Sequence, residues 1–530
     1  MIIFLYYSRI LQISFFTQAS SFRASEARPG IQDVRSVLDS GFCRNDGLWN
    51  LWKRFCFIFV IVLLSFNTVG CSSSRTADHS GPRWADKYLI GAYYYLWYPE
   101  NWRGGYINGL LIPPQRPALG EYNSSDLKVI EQQIAWSSQY GIDFWAISWW
   151  PDHPELDRVI REKIFKARDI NDIKFCIFYE TSEIGLKDDQ IDFTPDKAKK
   201  MLSDFKFLAQ TYFSHPSYLK IKGRPVAIIY LTRTFIGDYP EAISSLRKGL
   251  QEMGFNPFLI GDEIFWYVMR PNPLPPSLQP ETNRIKLFDG ITGYNMYNWA
   301  KPKQMGYGNQ STFLSEVQGR YREYQLAIDK KIKLIPSTIP GYNDRGVRLS
   351  DNHPVIPRQF DPGGEEGSFF IQALKQTVLP FMDPDIPMAL ITSFNEWNEG
   401  TQIEPTQGTG VTRQDYSPTM TDYTQGYVYQ GYGDKYLSIL QNTFMAVSGQ
   451  VMDEQVGIPL TKVDLRVFQG ETLLANALSD NRGFYNLSRL NLPPGHYEIR
   501  ANSPGYQEIR TRIRVDTKKK VPLILEMKKK

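Results

Sequence analysis

The stretch MALITSFNEWNEGTQIE, residues 388–404, decides the interpretation of this chain. Its first five residues are apolar or β-branched, which predicts a short buried strand of the parallel-sheet type. A dense polar cluster follows at once, in which Glu396 and Glu399 can divide acid and base work between them. Trp397 offers a sugar ring an apolar face, while Asn395 and Gln402 add donors and acceptors for hydroxyl groups. An ordinary solvated loop is the alternative, but so dense a cluster at a strand end favours a site.

Strand and helix patterns alternate from residue 88 to residue 446. Apolar runs typical of strands cover residues 88–98, 142–150, 174–180, 225–230, 258–262, 290–297, 332–338 and 388–394. Helical patterns cover residues 126–140, 155–170, 194–213, 239–253, 312–331, 366–379 and 435–446. Asp126 and Thr194 stand at predicted helix starts, and Gly141 and Gly254 at predicted helix ends. Eight strands with interleaved helices predict an α/β fold, a (β/α)8 TIM barrel, whose sites lie at the carboxyl ends of the strands.

The barrel interpretation gathers the residues that end the predicted strands around one mouth. They are Tyr95, Trp97, Trp149, Trp150, Tyr179, Glu180, Asp262, Glu263, Tyr294, Asn298, Glu396 and Glu399. Tyrosine and tryptophan at such positions are suited to stacking on carbohydrate. Glu180 ends an apolar strand, where a charge is costly unless it is paired or used. A structural ion pair with an arginine such as Arg233 is the alternative to a functional role for Glu180.

The segment FNEWNEGTQIE, residues 394–404, closely resembles the signature of glycoside hydrolase family 99, the endo-α-mannosidase and endo-α-mannanase family. Three other segments resemble that family more weakly: GAYYYLWY at 91–98, LGEYNSSD at 119–126 and GIDFWAISWW at 141–150. The resemblance runs from about residue 88 to about residue 446. It departs from the family at Asn398, where histidine is usual, and at Pro99, where the family continues Trp-Tyr with glycine.

The resemblance implies a mechanism with retained stereochemistry. By position, Glu396 matches the base that acts on the 2-hydroxyl of the sugar to give a 1,2-anhydro intermediate. Glu399 matches the residue that protonates the leaving oxygen and later activates water. The residues expected to bind substrate are Tyr95, Trp97, Trp149, Trp150, Glu180, Tyr294, Asn395, Trp397 and Gln402, with Glu180 matching a sugar-binding carboxylate and Tyr294 a tyrosine close to the reacting centre. Such chemistry requires no cofactor.

These expectations point to an endo-acting glycoside hydrolase that cleaves α-mannosidic linkages in mannan or mannose-rich glycans. Three alternatives remain open: a glycosidase acting on another α-linked glycan, a related barrel that transfers sugars in polysaccharide synthesis, and a non-catalytic surface glycan-binding lipoprotein. The carboxylate pair disfavours the last, because a protein that only binds glycans has no need of it.

Composition narrows the range of partners. A formal net charge of +4 over 530 residues, without clustering except in two short lysine runs near the end, disfavours nucleic acid. The five histidines are scattered without ligand spacing, so no metal site is expected. Export would leave Cys176 as the sole thiol besides a lipidated one, so no disulfide is expected. A polysaccharide or oligosaccharide is the expected partner of a monomeric chain.

The N-terminal part predicts export. A Lys-Arg pair precedes the apolar run FCFIFVIVLLSF at 55–66, which is too short to span a bilayer comfortably and is typical of a signal peptide. TVGC at 68–71 resembles a bacterial lipoprotein processing site, with Cys71 as the lipidated residue and residues 71–86 as a tether. A membrane anchor or an ordinary cleaved signal is the alternative. We expect residues 1–70 to combine a signal peptide with an upstream start, the true start lying near Leu51, and the protein to be lipid-anchored to a bacterial cell-envelope membrane.

The pattern changes near residue 447, after the predicted catalytic domain of residues 87–446. Residues 447–530 show short apolar–polar alternation separated by glycine and proline turns, which predicts a small all-β sandwich. This region resembles the carboxypeptidase regulatory-like domain through turn and core positions such as GFY at 483–485 and GHY at 495–497. Those positions carry information about the fold and almost none about chemistry.

Overall fold

The computed structural model describes residues 88–187, 190–264, 280–294, 310–360, 363–383, 385–444, 448–479, 483–486, 495–515 and 522–530. The predicted signal segment, Cys71 and Asn298 lie outside these residues, as does the predicted domain boundary at 446–447. Within the described part of the chain, no helix combines the length and apolar character that crossing a membrane demands.

Eight parallel strands form the central sheet, as predicted. They are β1 Leu89–Tyr94, β2 Phe144–Trp149, β3 Lys174–Tyr179, β4 Arg224–Ile229, β5 Phe258–Asp262, β6 Gly290–Thr292, β7 in two pieces, Lys333–Leu334 and Ser337–Thr338, and β8 Met388–Ile391. Consecutive strands pair in register from β1 to β6, and β8 pairs with β1. The strands are short and almost wholly buried, which suits a sheet covered on both faces.

The two-piece strand β7 closes the ring. Its first piece pairs with β6 and its second piece with β8. Between the pieces, the Ile335 amide donates to the Ile291 carbonyl at 2.9 Å and the Pro336 carbonyl accepts from Leu390 at 3.0 Å. Pro336 has no amide hydrogen, so it can stand here only because its carbonyl alone is needed. The predicted (β/α)8 barrel is confirmed.

A helix follows each strand and covers the outside of the sheet. The helices that cover the barrel, one after each strand, are Leu127–Tyr140, Pro154–Glu162, Pro195–Leu208, Tyr239–Glu252, Thr282–Ile285, Gln310–Ala327, Ser368–Ala373 and Lys435–Phe444. The predicted N-caps are confirmed: the Asp126 side chain accepts from the Lys128 amide at 2.9 Å and Thr194 accepts from Lys197 at 3.5 Å. Gly141 ends the first of these helices with φ at +83°, a conformation that favours glycine.

Alternation along the strands decides which side chains face the barrel interior. On β2, Trp145 points outward, where its ring stacks on Tyr94 at 4.0 Å and its Nε1 donates to Ser137 of the covering helix. On β1, the next side chain before Tyr94 points inward: the Tyr93 ring meets those of Phe178 and Tyr294 at 4.7 and 4.9 Å. These three aromatic rings therefore fill part of the barrel interior.

The C-terminal region forms two small sheets around a core of its own. Its strands are Ser448–Asp453, Asp464–Gln469, Thr472–Leu478, Phe484–Asn486, Gly495–Asn502, Ile509–Val515 and Pro522–Met527. They form a three-stranded and a four-stranded sheet, and alternate residues such as Val451, Leu465 and Ile499 fill the core. The predicted small all-β domain is confirmed.

Candidate active site

The polar segment after β8 folds back on itself instead of continuing as a strand. The Ser393 amide donates to the Thr401 carbonyl at 2.8 Å, and the Ser393 hydroxyl accepts from the Glu396 amide at 2.7 Å. Gly400 adopts φ of +63°, and a Cβ there would meet the Asn343 carbonyl oxygen at 2.8 Å. The tight turn thus needs glycine at this point, and it holds Glu396 and Glu399 beside the loop that follows β7.

Glu396 lies deep in this turn, with only 1% of its surface exposed. One carboxylate oxygen accepts a hydrogen bond from the Asn398 amide at 3.0 Å. Burial, followed by the negative charge of Glu399, raises the pKa of Glu396 well above its usual range, and the Arg348 charge only partly opposes them. Such a carboxylate is a stronger base than a solvated glutamate once it has lost its proton.

Glu399 is the more accessible member of the pair, its side chain being 13% exposed. The Arg348 Nη2 atom lies 3.3 Å from Glu399 Oε1, and Arg348 Nη1 lies 2.7 Å from Asp344 Oδ2. Sequence reasoning missed Arg348 and Asp344, which lie in the segment after β7. No motif marks them; only their approach to Glu399 in the folded chain reveals their relevance.

Glu180, Tyr95 and Tyr294 lie next to the glutamate pair. The Tyr95 hydroxyl donates to the Tyr294 hydroxyl oxygen at 2.6 Å, and the Ser148 hydroxyl donates to Glu180 Oε1 at 2.7 Å. Burial raises the pKa of Glu180 to about 8, against the lowering effect of the Ser148 hydrogen bond. Near neutral pH, Glu180 is therefore mostly a neutral acid, which can donate a hydrogen bond to a sugar oxygen.

Two tryptophans lie at the rim of this cluster. Trp97 stacks on Tyr95 with the ring centroids 4.5 Å apart, and Trp150 lies 6.3 Å from Trp97. Both tryptophans are only partly buried, and Trp150 Nε1 donates to the Ser148 hydroxyl at 2.8 Å. They keep ring surface available for stacking on carbohydrate.

Trp149 requires a correction, because it does not face the mouth. Its ring lies 5.8 Å from that of Tyr179 and 6.1 Å from Phe207, and its Nε1 approaches Asp157 at 3.4 Å. Phe207 and Asp157 belong to the covering helices. Strand alternation explains the error: of two adjacent tryptophans at a strand end, only one can point inward, and Trp150 is that one.

Asn395, Trp397 and Gln402 also require correction, since all three are fully buried in the structure. The Asn395 amide forms two hydrogen bonds of 2.9 Å with the backbone of Tyr95, tying the β8 turn to the end of β1. Trp397 packs among Trp102 and Tyr106. These side chains build the turn instead of presenting faces to a substrate.

Glu404 and Asn398 complete the support of the turn. The buried Glu404 carboxylate accepts from Tyr122 Oη and Trp397 Nε1, both at 2.8 Å, and from Gln133 Nε2 at 2.6 Å. Gln402 Nε2 donates to Asn108 Oδ1 at 3.1 Å. Asn398 Nδ2 donates to the Gly105 carbonyl at 2.6 Å, which ties the turn to the loop after β1. The polar residues of the motif thus divide into two catalytic candidates and a surrounding frame.

The acids at the end of β5 are structural. Asp262 pairs with Arg233 at 2.5 Å and accepts from the Tyr294 amide at 2.8 Å. Both oxygens of Glu263 lie 2.9 Å from Arg284 Nε. The ion pair considered for Glu180 with Arg233 is not formed, because Arg233 is committed to Asp262.

Residues 112–413 match the family described as Glycosyltransferase WbsX. The chain belongs to this family. Residues 446–528 of this WbsX-family chain match the carboxypeptidase regulatory-like domain, which confirms the predicted resemblance of the C-terminal region.

Curated relatives of the WbsX-family chain carry names from the endo-mannosidases. The "glycoprotein endo-alpha-1,2-mannosidase-like protein" of Danio rerio is 24% identical over 389 residues, which are 65% of this chain and 78% of the relative. The "glycoprotein endo-alpha-1,2-mannosidase" of Rattus norvegicus is 24% identical over 375 residues, 62% of this chain and 71% of the relative. They confirm the predicted likeness to glycoside hydrolase family 99 and the predicted enzyme class, a glycoside hydrolase.

The fold has a counterpart among solved structures. A "glycoside hydrolase-like protein" superimposes with a TM-score of 0.50 and 21% identity, covering 67% of this chain and 93% of its own. In the described residues, no group of three or more histidine, cysteine, aspartate or glutamate side chains is arranged to hold a metal ion.

Proposed function

We propose that this chain is a retaining, endo-acting glycosidase that cleaves α-mannosidic linkages in mannan or mannose-rich glycans. The observation that carries the proposal is the meeting of Glu396, Glu399 and Glu180 with Tyr95 and Tyr294 at the carboxyl ends of the barrel strands. A barrel mouth is where such enzymes act, and two carboxylates in different environments are what acid–base division needs.

The proposed first step moves two protons. Glu396 takes the proton of the sugar 2-hydroxyl as the 2-oxygen of the sugar attacks C1. At the same time Glu399 gives a proton to the departing glycosidic oxygen. This yields a 1,2-anhydro sugar. In the second step Glu399 takes a proton from water as the water oxygen attacks C1. The bond between C1 and the 2-oxygen breaks, and Glu396 returns its proton to the 2-oxygen. Two inversions at C1 give net retention.

Glu180 and the rim tryptophans would hold the sugar during these steps. A neutral Glu180 donates a hydrogen bond to a hydroxyl without adding a third negative charge beside the glutamate pair. Trp97 and Trp150 offer ring faces to the apolar side of a sugar. Burial of the polar groups at the mouth strengthens each of these contacts relative to water.

A panel of substrates tests the proposal. The purified protein is incubated with α-mannans of different linkage and with α-glucans as controls, and products are identified by mass spectrometry and by proton NMR of the first anomer formed. We expect oligosaccharides from α-mannan with retained configuration. Release of oligosaccharides from α-glucan and not from α-mannan would show that the substrate is a glucan. Binding without any product would favour the glycan-binding alternative.

Glycosyl transfer is the second candidate, favoured by the description of the WbsX family. The same 1,2-anhydro intermediate would be attacked by a sugar hydroxyl instead of water, with Glu399 as the base. Adding a labelled acceptor oligosaccharide to the same incubations separates the two candidates, since a transferase lengthens the acceptor and a hydrolase does not.

We further propose that Cys71 carries a lipid that anchors the protein to a bacterial cell-envelope membrane. The TVGC pattern after an apolar run supports the proposal, and stable anchoring requires more than one acyl chain, as a lipidated N-terminal cysteine supplies. The Cys71→Ser protein should move from the membrane fraction to the soluble fraction, or its signal segment should remain uncleaved. Unchanged membrane association would point to residues 55–66 acting as an anchor.

A further inference from the structure

A line of ionisable side chains leads away from Glu399 into the protein. Arg348 contacts Glu399 through Nη2 at 3.3 Å and Asp344 through Nη1 at 2.7 Å. On the far side, Asp344 Oδ2 lies 2.6 Å from His353 Nδ1. Asp344 and His353 are buried, while the Arg348 side chain retains 15% exposure. The proposed reaction assigns no role to any of these three residues.

Asp344 is a fixed negative charge that holds the arginine. Burial by itself would raise the pKa of Asp344, but the hydrogen bond with His353 and the charge of Arg348 bring it below its usual value. The contact of Arg348 with Asp344, at 2.7 Å, is shorter than its contacts with Glu399, at 3.3 and 3.4 Å. Arg348 therefore pairs more closely with Asp344 than with Glu399.

The backbone delivers this arginine to the glutamate. The Asn343 amide donates to the Glu399 carbonyl at 2.9 Å, beside the close approach of Gly400 to Asn343. Asp344 and Arg348 lie one helical turn apart in the short helix Arg345–Arg348 and its preceding residue. This backbone pairing, together with the contact between Arg348 and Asp344, places the guanidinium beside the Glu399 carboxylate.

We propose that Arg348, held by Asp344, is a positioning residue for Glu399: it orients the carboxylate and places beside it a positive charge that is partly offset by Asp344. This inference rests on the proposed function of Glu399 as acid and base. An acid/base carboxylate must hold a proton in the first step and lose it before the second. A full positive charge at 3.3 Å would favour the ionised form too strongly for the first step, and Asp344 moderates it.

Other charged or titratable groups also face Glu399 and set the background for any shift. They are Glu396, Glu180, Tyr95, Tyr294 and Tyr342. A negative charge on Glu396 opposes ionisation of Glu399, whereas Glu180 adds such a charge only as the pH rises through its pKa of about 8. The three tyrosines are neutral because burial raises their pKa values. Arg348 places a positive charge beside Glu399, and Asp344 places a negative charge beside Arg348. Variants of Arg348 and Asp344 should therefore move the titration of Glu399 in opposite directions.

The pH dependence of kcat/KM tests this inference on a glycan with a poor leaving group. Its alkaline limb reports loss of the proton from the acid in the free enzyme. Arg348→Gln removes the positive charge, so the limb should move up by about one pH unit or more. Asp344→Asn removes the negative charge that offsets Arg348, so the limb should move down. Arg348→Lys keeps the charge without the planar fork, so its limb should stay near that of the wild type while kcat falls.

A merely structural role would lower the rate in all three variants without opposite displacements, and that result would overturn the inference. Thermal melting verifies that each variant is folded. A second readout requires no turnover: the protein is labelled with carbon-13 at the glutamate carboxyl, and the Glu399 signal is assigned by its loss in Glu399→Gln. We expect its titration midpoint to rise in Arg348→Gln and to fall in Asp344→Asn. If no substrate is cleaved, the proposed function fails while this titration still decides the role of Arg348; an unmoved midpoint would contradict that role.

Discussion

Strands β5 and β8 each end close to a pair of acidic side chains, but the two pairs have different surroundings. Asp262 and Glu263 are each matched by an arginine of their own, Arg233 and Arg284. Glu396 and Glu399 share the influence of Arg348, whose shorter contact is to Asp344. The β5 pair is neutralised and serves the fold, whereas the β8 pair keeps excess negative charge in a buried place. Such excess charge raises pKa values and is typical of catalytic sites.

Among the variants that test this comparison, Glu399→Gln should have the largest effect, and the effect is on turnover. Glu399→Gln keeps the shape of the side chain but has no transferable proton, so hydrolysis of natural glycans should fall by about 10² to 10⁴, the usual worth of general acid–base help. Binding should be largely kept. A substrate with an activated aryl leaving group should recover part of the first step, since it needs little protonation. Equal losses of rate on both substrates would show that Glu399 is not the acid.

Substitution in the β5 pair should lower the stability of the protein and should not act on the reaction itself. Glu263→Gln removes the carboxylate that the buried Arg284 guanidinium contacts, at a cost of about 3 kcal/mol in the free energy of unfolding. The matched variant Glu396→Gln removes a carboxylate whose burial is unfavourable, so it should unfold no more readily than the wild type. Denaturant unfolding of the two variants side by side checks the contrast. If Glu263→Gln proved as stable as the wild type, the structural assignment of the β5 acids would be wrong.

A pH-dependent difference should appear at Glu180. Its pKa is raised to about 8 in the folded protein, so the folded state holds this proton more tightly than the unfolded chain does. Its contribution to stability is complete below about pH 4 and is lost as the pH rises towards 8. Glu180→Gln cannot ionise, so its melting temperature relative to the wild type should rise between pH 5 and pH 9. A constant difference across that range would mean that Glu180 is not held in its neutral form.

The smallest effect should come from the C-terminal domain, which contributes none of the proposed site residues. Truncation after Ala446 should leave a folded barrel whose turnover on a short soluble oligosaccharide changes by less than about threefold. Binding to polymeric mannan is the property to compare separately, because a second module can add avidity. A truncated protein that melts normally but is inactive would show that this domain completes the site.

The barrel could be predicted from the sequence because its strands and helices carry strong local signals. Capping residues such as Asp126 and Gly141 stand where the chain needs them, and the buried strands are continuous apolar runs. The glutamate pair could be placed for the same reason: a polar cluster that directly follows a buried strand must lie at the carboxyl end of that strand. These are properties of neighbouring residues, which a sequence displays.

The roles of individual side chains around the pair depended on contacts between distant residues. Trp149 and Trp150 differ only in strand alternation, and a shift of one residue in the predicted strand exchanges them. Trp397 is polar at one atom only, and its partner Glu404 satisfies that atom inside the protein. Arg348 meets Glu399 across 51 positions of chain. No local pattern encodes that approach, so only the folded structure could identify it.

The most direct test of the central claim compares oligosaccharide release from α-mannan by the wild type, Glu396→Gln, Glu399→Gln and a matched control, Glu365→Gln. The Glu365 side chain is 89% exposed, so its substitution changes one carboxylate without disturbing the core. We predict that both β8 variants lose at least about a hundredfold in rate while Glu365→Gln stays within about twofold of the wild type. Wild-type release by either β8 variant would contradict the claim that this pair performs the chemistry.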